Sequence, residues 1–131
     1  MDTNVLVRAL VEDDPAQAEA AQALLTHANL IAVPVTVLCE VSWVLRSNYR
    51  LSASAIAEAI ESILSVDTVV TDAGAAQAGL AFLKAGGDFG DGVIAHQGKG
   101  MGGSIFVSFD AKARTLWRAT GGEVLAPVTD I

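Results

Sequence analysis

Four acids, Asp2, Glu40, Asp91 and Asp110, stand where a carboxylate calls for an account. Asp2 is followed by Thr3, Asn4 and the nearly apolar run "VLVRALV". Asp110 closes "SIFVSF", Asp91 follows "GGDFG", and Glu40 sits among Leu38, Cys39, Val41 and Trp43. An unpaired carboxylate in apolar surroundings is costly. Several brought together repel one another and raise their pKa values. A divalent cation resolves that conflict, and ligands that are all oxygen favour Mg²⁺ or Mn²⁺ over Zn²⁺. Such an acidic cup suits phosphodiester hydrolysis. Each acid also has a plainer reading. Asp2, Asp72, Asp91 and Asp110 are good helix N-caps, and Arg46 or Arg50 can pair with Glu40 along a helix.

These acids need elements to position them. "NVLVRALV" predicts a helix leaving the Asp2 corner. "DPAQAEAAQALLTHA" carries an N-cap at Asp14, Pro15 at the first helical position and Gln17 three residues past the cap. "LIAV" reads as a buried strand ending at Pro34. "TVLCEVSWVLRSNYR" reads as a helix with Thr36 as its cap, and "LSASAIAEAIESILS" as a helix with a serine cap and an Ile56, Ile60, Ile63, Leu64 stripe. "DTVVTD" is a strand, "AGAAQAGLAFLKAGG" a helix stopped by glycine, and "DFGDGVIAHQGKG" a weaker helix that the glycines of "GKGMGGS" leave short or mobile. "SIFVSF" is the best strand, "AKARTLWRATGG" a helix and "EVLAP" a last strand. Alternating strands and helices predict one α/β domain over 1–131, with three layers and a central, mainly parallel β-sheet flanked by helices. Ligands of such sheets bind beyond the carboxyl ends of the strands. Asp2 and Asp110 occupy equivalent corners there.

The bulk composition narrows the classes. The chain has 131 residues, 52% of them hydrophobic, with 15 acids, 8 bases and a net charge of -7. A purely electrostatic nucleic-acid binder is usually basic, so cations or local basic residues must hold any nucleic acid. The single cysteine, Cys39, excludes an internal disulfide and a cysteine-rich zinc site. No apolar run reaches membrane-spanning length, and a reduced cytoplasm is the plain reading. The apolar excess goes to a core, a subunit interface or a partner groove.

Taken together, "DTNVLVR", "VLCEVSWVLR", "DFGDGVIA" and "VSFD" resemble the PIN-domain ribonucleases, most closely the toxin half of VapBC-type toxin–antitoxin pairs. The resemblance spans nearly the whole chain in the family's order. It implies that Asp2, Glu40, Asp91 and Asp110 are the catalytic, metal-binding acids, and that one or two Mg²⁺ ions activate water for RNA cleavage, with tRNA as substrate. It implies that Asn4 and Ser108 are polar supports, with Asp88 either beside them or simply the N-cap of its helix. It also implies a homodimer, and a cognate antitoxin whose apolar helix lies in a groove, for which the Ile56–Leu64 helix is a candidate, with core packing an equal reading of that helix.

For RNA contact, Arg8, Arg46, Lys112 and Arg114 are the chief candidates, with Arg50, Lys99 and Arg118 beside them. A solvated helix face explains each equally well. Trp43 and Trp117 can stack on bases, although helical spacing favours the core for both. The family usually has several apolar residues before its first Asp, whereas only Met1 stands here. We therefore expect the native start to lie upstream, and an intact mass from the native locus beginning at Met1 contradicts that. A His-pair ribonuclease would have only His27 and His96. The alternatives are a phospho-receiver signalling module, which wants an acidic pair where Asp2 stands alone, and a catalytically inactive PIN-like binding module.

Overall fold

The computed structural model describes residues 1–128, so the last three residues of the expected domain lie outside the described residues. The residues gather into two compact units, Met1–Ala73 and a second from Gly74 onward.

In the first unit the order is α1 (Thr3–Val11), α2 (Pro15–His27), β1 (Ile31–Ala32), α3 (Val35–Ser47), α4 (Ala53–Leu64) and β2 (Val69–Val70). Local chemistry starts the helices. Asp14 accepts from the Gln17 N–H ahead of Pro15, and Ser52 accepts from the Ala55 N–H. β1 and β2 pair in parallel, Ile31 opposite Val69. The core comprises Leu6, Ile31, Val33, Leu38, Val41, Leu45, Ile56 and Ile60, all nearly inaccessible to solvent. α1 packs against α2 and α3, and α3 against α4.

Two expectations are corrected here. Thr36 is not a cap: α3 begins at Val35 behind Pro34, which has no side-chain acceptor to offer. Proline's fixed φ turns the chain into the helix two residues early. The Ile56, Ile60 and Ile63 stripe is buried, so it serves as core and not as a partner groove.

The second unit contains α5 (Ala73–Lys84, its first residue ending the first unit), α6 (Phe89–Gly100), β3 (Ile105–Val107), α7 (Ala111–Ala119) and β4 (Glu123–Leu125). β3 and β4 are parallel, with Phe106 opposite Val124. Trp117 is the centre of a small core with Phe82, Ala95 and Ala113. The rings of Phe82 and Phe106 each lie 6.4 Å from its own, tilted or edge-on.

α5 and α6 approach closely because both carry glycine at the contact. A Cβ on Gly92 would stand 2.5 Å from the Ala78 carbonyl oxygen, and one on Gly79 would stand 2.7 Å from the Phe89 ring. α6 runs unbroken to Gly100, longer than its glycine content predicts; its exposed last turn is closed by backbone bonds from the Met101 N–H to the Gln97 carbonyl and from the Gly103 N–H to the Gly98 carbonyl. Among the described residues the strands form two short parallel pairs, so the α/β fold has a small sheet.

Candidate active site

The first unit places Asp2 and Glu40 on one cavity. Asp2 precedes α1 and its Oδ1 accepts the Thr3 N–H at 2.7 Å. The Thr3 hydroxyl donates to Glu40 Oε2 at 3.0 Å. Thr3 is buried and both carboxylates are exposed. One threonine therefore ties together two acids far apart in the chain, through its backbone and its side chain. A cavity of about 360 Å³ is lined by Asp2, Thr3, Asn4, Arg8, Glu40, Asn48 and Tyr49, among others. Asn4 is exposed on that wall.

Arg8 closes the same cavity under a clasp. Its Nη1 donates to Asp13 Oδ1 at 3.1 Å and to the Tyr49 hydroxyl at 3.2 Å, and its Nε donates to Gln17 Oε1 at 2.7 Å. The Tyr49 hydroxyl in turn donates to Asp13 Oδ2 at 2.9 Å. The bond to Tyr49, then the charge of Asp13, hold the guanidinium more firmly protonated than usual.

The second unit places Asp88, Asp91 and Asp110 within electrostatic reach of one another. Asp88 caps α6 and accepts the Asp91 N–H at 3.1 Å. Asp91 follows in the first turn, half-buried. Burial first, then the charges of Asp88 and Asp110, push its carboxyl above the ordinary carboxylate value. Asp110 caps α7 through the Ala113 N–H at 3.0 Å. Ser108 steadies that corner: its Oγ accepts the Asp110 N–H at 3.0 Å, and its carbonyl accepts from Arg114 Nη1 at 2.8 Å.

Among the described residues, no three His, Cys, Asp or Glu side chains in either unit form a ready-made metal cluster. The donors are nonetheless the right kind for a hard cation. All are carboxylates, and the raised Asp91 carboxyl marks negative charge that a nearby cation would stabilise.

The sequence profile of the PIN domain matches residues 1–116, from Asp2 past Asp110 and across both units. The chain belongs to the PIN domain family. No curated protein and no solved structure is significantly similar. PIN domains are typically nucleases that use divalent metal ions, and membership points to nuclease activity in general for this protein.

The other candidates divide. Arg46 and Lys112 are exposed, on α3 and in the first turn of α7. Arg8 and Arg114 already hold acceptors of their own chain. His27 ends α2 in the first unit and His96 lies on α6 in the second. Trp117 is core, as its spacing predicts, but Trp43 is 64% exposed, against the core placement expected for it. The buried side of α3 is filled by Leu38, Val41, Ser42 and Leu45, and Trp43 points away from it. Sequence reasoning missed Thr3, Asp13, Gln17 and Tyr49. The Asp–Thr pair was the sole signal for Thr3, and nothing local marked the Arg8 clasp. Among the described residues no helix is long and apolar enough to cross a membrane.

Proposed function

We propose that this PIN domain is a metal-dependent endoribonuclease, the toxin of a toxin–antitoxin pair, acting in the cytoplasm on RNA and specifically on tRNA. Asp2 and Glu40 of the first unit and Asp91 and Asp110 of the second are its metal ligands and catalytic acids. The observation that carries this reading is the Asp91 corner. The folded chain maintains negative charge beside Asp88 and Asp110 at a cost in free energy that a divalent cation removes.

When bound, Mg²⁺, or Mn²⁺ in its place, supplies the charge that activates water and stabilises the phosphate oxygens. The residues supply the rest. Thr3 fixes the Glu40 carboxylate by donating to one of its oxygens, leaving the other oxygen for a ligand. Ser108 and Asp88 hold the backbone N–H groups of Asp110 and Asp91, which fixes where those side chains start. Asn4 borders the same cavity as a polar support for the bound ion. Arg8, Arg46, Lys112 and Arg114 supply the positive charge that meets RNA phosphates. In this reading the protein forms a homodimer and is held inactive by a cognate antitoxin. Exposed Ile94, Ile105, Val107, Phe109 and Leu125 in the second unit are the apolar surface available to such partners.

The test compares wild type with Asp91→Asn on total tRNA, with Mg²⁺ and with a chelator. Cleavage is expected from wild type with Mg²⁺ alone. Equal cleavage by both proteins, or cleavage that survives chelation, overturns the mechanism. A short neighbouring reading frame encoding a DNA-binding protein that suppresses the cleavage supports the toxin role, and failure of that protein to bind removes it.

A further inference from the structure

α3 presents a flat aromatic ring to solvent one helical turn from Glu40. Trp43 is the largest exposed side chain of the first unit, at 64%. A tryptophan gains more from burial than almost any other side chain, so leaving it in water forgoes stability. Glu40 and Trp43 are three residues apart on α3, which makes them neighbours on its surface. The other exposed residues of α3 are Thr36, Glu40, Arg46 and Ser47. Along α3, Trp43 is thus flanked by polar exposed side chains rather than by apolar ones.

Such a ring suits a partner that is itself flat and polar at its edges, as an unpaired nucleobase is. Charge agrees with the placement. A strand whose base lies on Trp43 passes the basic Arg46 and runs across Glu40, each three residues from Trp43 on α3. On the other side of Glu40 the cavity lined by Asn4, Asn48 and Tyr49 continues the same surface.

We propose that Trp43 stacks on an unpaired base of single-stranded RNA and so positions the strand across Glu40. This rests on the nuclease reading above and specifies its substrate as an unpaired segment. The base contact itself is measurable without cleavage.

The test uses the full chain in chelator, titrated against a short labelled oligoadenylate, with affinity read from the anisotropy of the label and the ring contact from tryptophan fluorescence. Wild-type emission is expected to be quenched saturably. Trp43→Ala is expected to weaken binding about 5- to 150-fold, the equivalent of one stacked base. Trp43→Phe should restore most of the affinity while abolishing the quenching, because buried Trp117 alone then emits. A fully duplexed RNA of the same length should leave wild-type emission unchanged. Unaltered affinity in Trp43→Ala, at an unchanged melting temperature, overturns the proposal. So does equal quenching by duplex RNA, or a shift in Trp43 emission with protein concentration alone, which assigns the ring to a second copy of the chain. Chelator-sensitive cleavage is measured on the same samples. Intact cleavage without the base contact leaves the nuclease reading standing, whereas quenching without any Mg²⁺-dependent cleavage removes that reading and keeps the contact.

Discussion

Among single residues, Asp91 has an environment that sets a sign. Its carboxyl is raised by burial and by two like charges. A raised acid contributes stability that is fully present below its unfolded value, near 3.8, and is lost as pH rises through the folded value. At neutral pH the charged form is therefore a burden on the metal-free fold. Asp91→Asn should raise the melting temperature of metal-free protein at pH 7. The gain is about 0.5 kcal/mol, kept small by solvent screening of a partly exposed group, and it should shrink as pH falls toward 4. Melting curves across that range check it. The same change should lower Mg²⁺-dependent cleavage roughly 100-fold or more, beyond what loss of a supporting bond alone produces. Thr3 makes a second prediction. Thr3→Val keeps the shape but removes the hydroxyl that holds Glu40. Cleavage should fall about 10-fold at saturating substrate, with stability changed by about 1 kcal/mol. An unchanged rate in steady-state assays would show that Glu40 needs no such tether.

At the scale of elements, the close contact of α5 and α6 determines where Asp91 sits. Gly92→Ala forces a Cβ toward the Ala78 carbonyl. Overpacking costs about 1–3 kcal/mol and alanine's helix propensity returns about 1 kcal/mol. A net loss of up to about 2 kcal/mol is expected in denaturant titrations, together with weaker metal binding as α6 shifts. Thr36 gives the converse case. Because it lies inside α3 without capping it, Thr36→Ala should be neutral or stabilising by up to about 0.7 kcal/mol. A destabilisation near 1 kcal/mol, the usual loss for a cap, would show that Thr36 starts the helix after all.

For the whole molecule, the net charge of -7 opposes RNA at long range. Few basic side chains are accessible beside the acids, so few phosphates are neutralised. With about two to four such contacts, the logarithm of affinity for single-stranded RNA should fall with the logarithm of salt at a slope near -1.5 to -3. Anisotropy titrations in chelator at several salt concentrations check this, and a slope near -7 would reveal a basic surface that the exposed side chains do not suggest. Each unit has its own core, around Leu38 and Ile60 in one and Trp117 in the other. The PIN match runs through both, and we propose that they work as one domain over residues 1–131.

What the sequence determined alone is what depends on near neighbours. Asp14 with Pro15, Ser52, Asp88 and Asp110 start helices by bonding N–H groups three residues on, and a chain of letters displays that spacing. The order of acids, helices and short strands was legible for the same reason, and it carried the family. What only the tertiary structure decided depends on residues far apart. Thr3 reaches Glu40 across 37 positions. The Arg8 clasp draws on Tyr49 from 41 positions away. Trp43 faces water on the side of its helix that carries Thr36, Glu40, Arg46 and Ser47, opposite the buried Leu38, Val41 and Leu45. Periodicity marks the polar side of a helix, but it does not say that a large ring is left there. Only the elements that pack on the other side decide that.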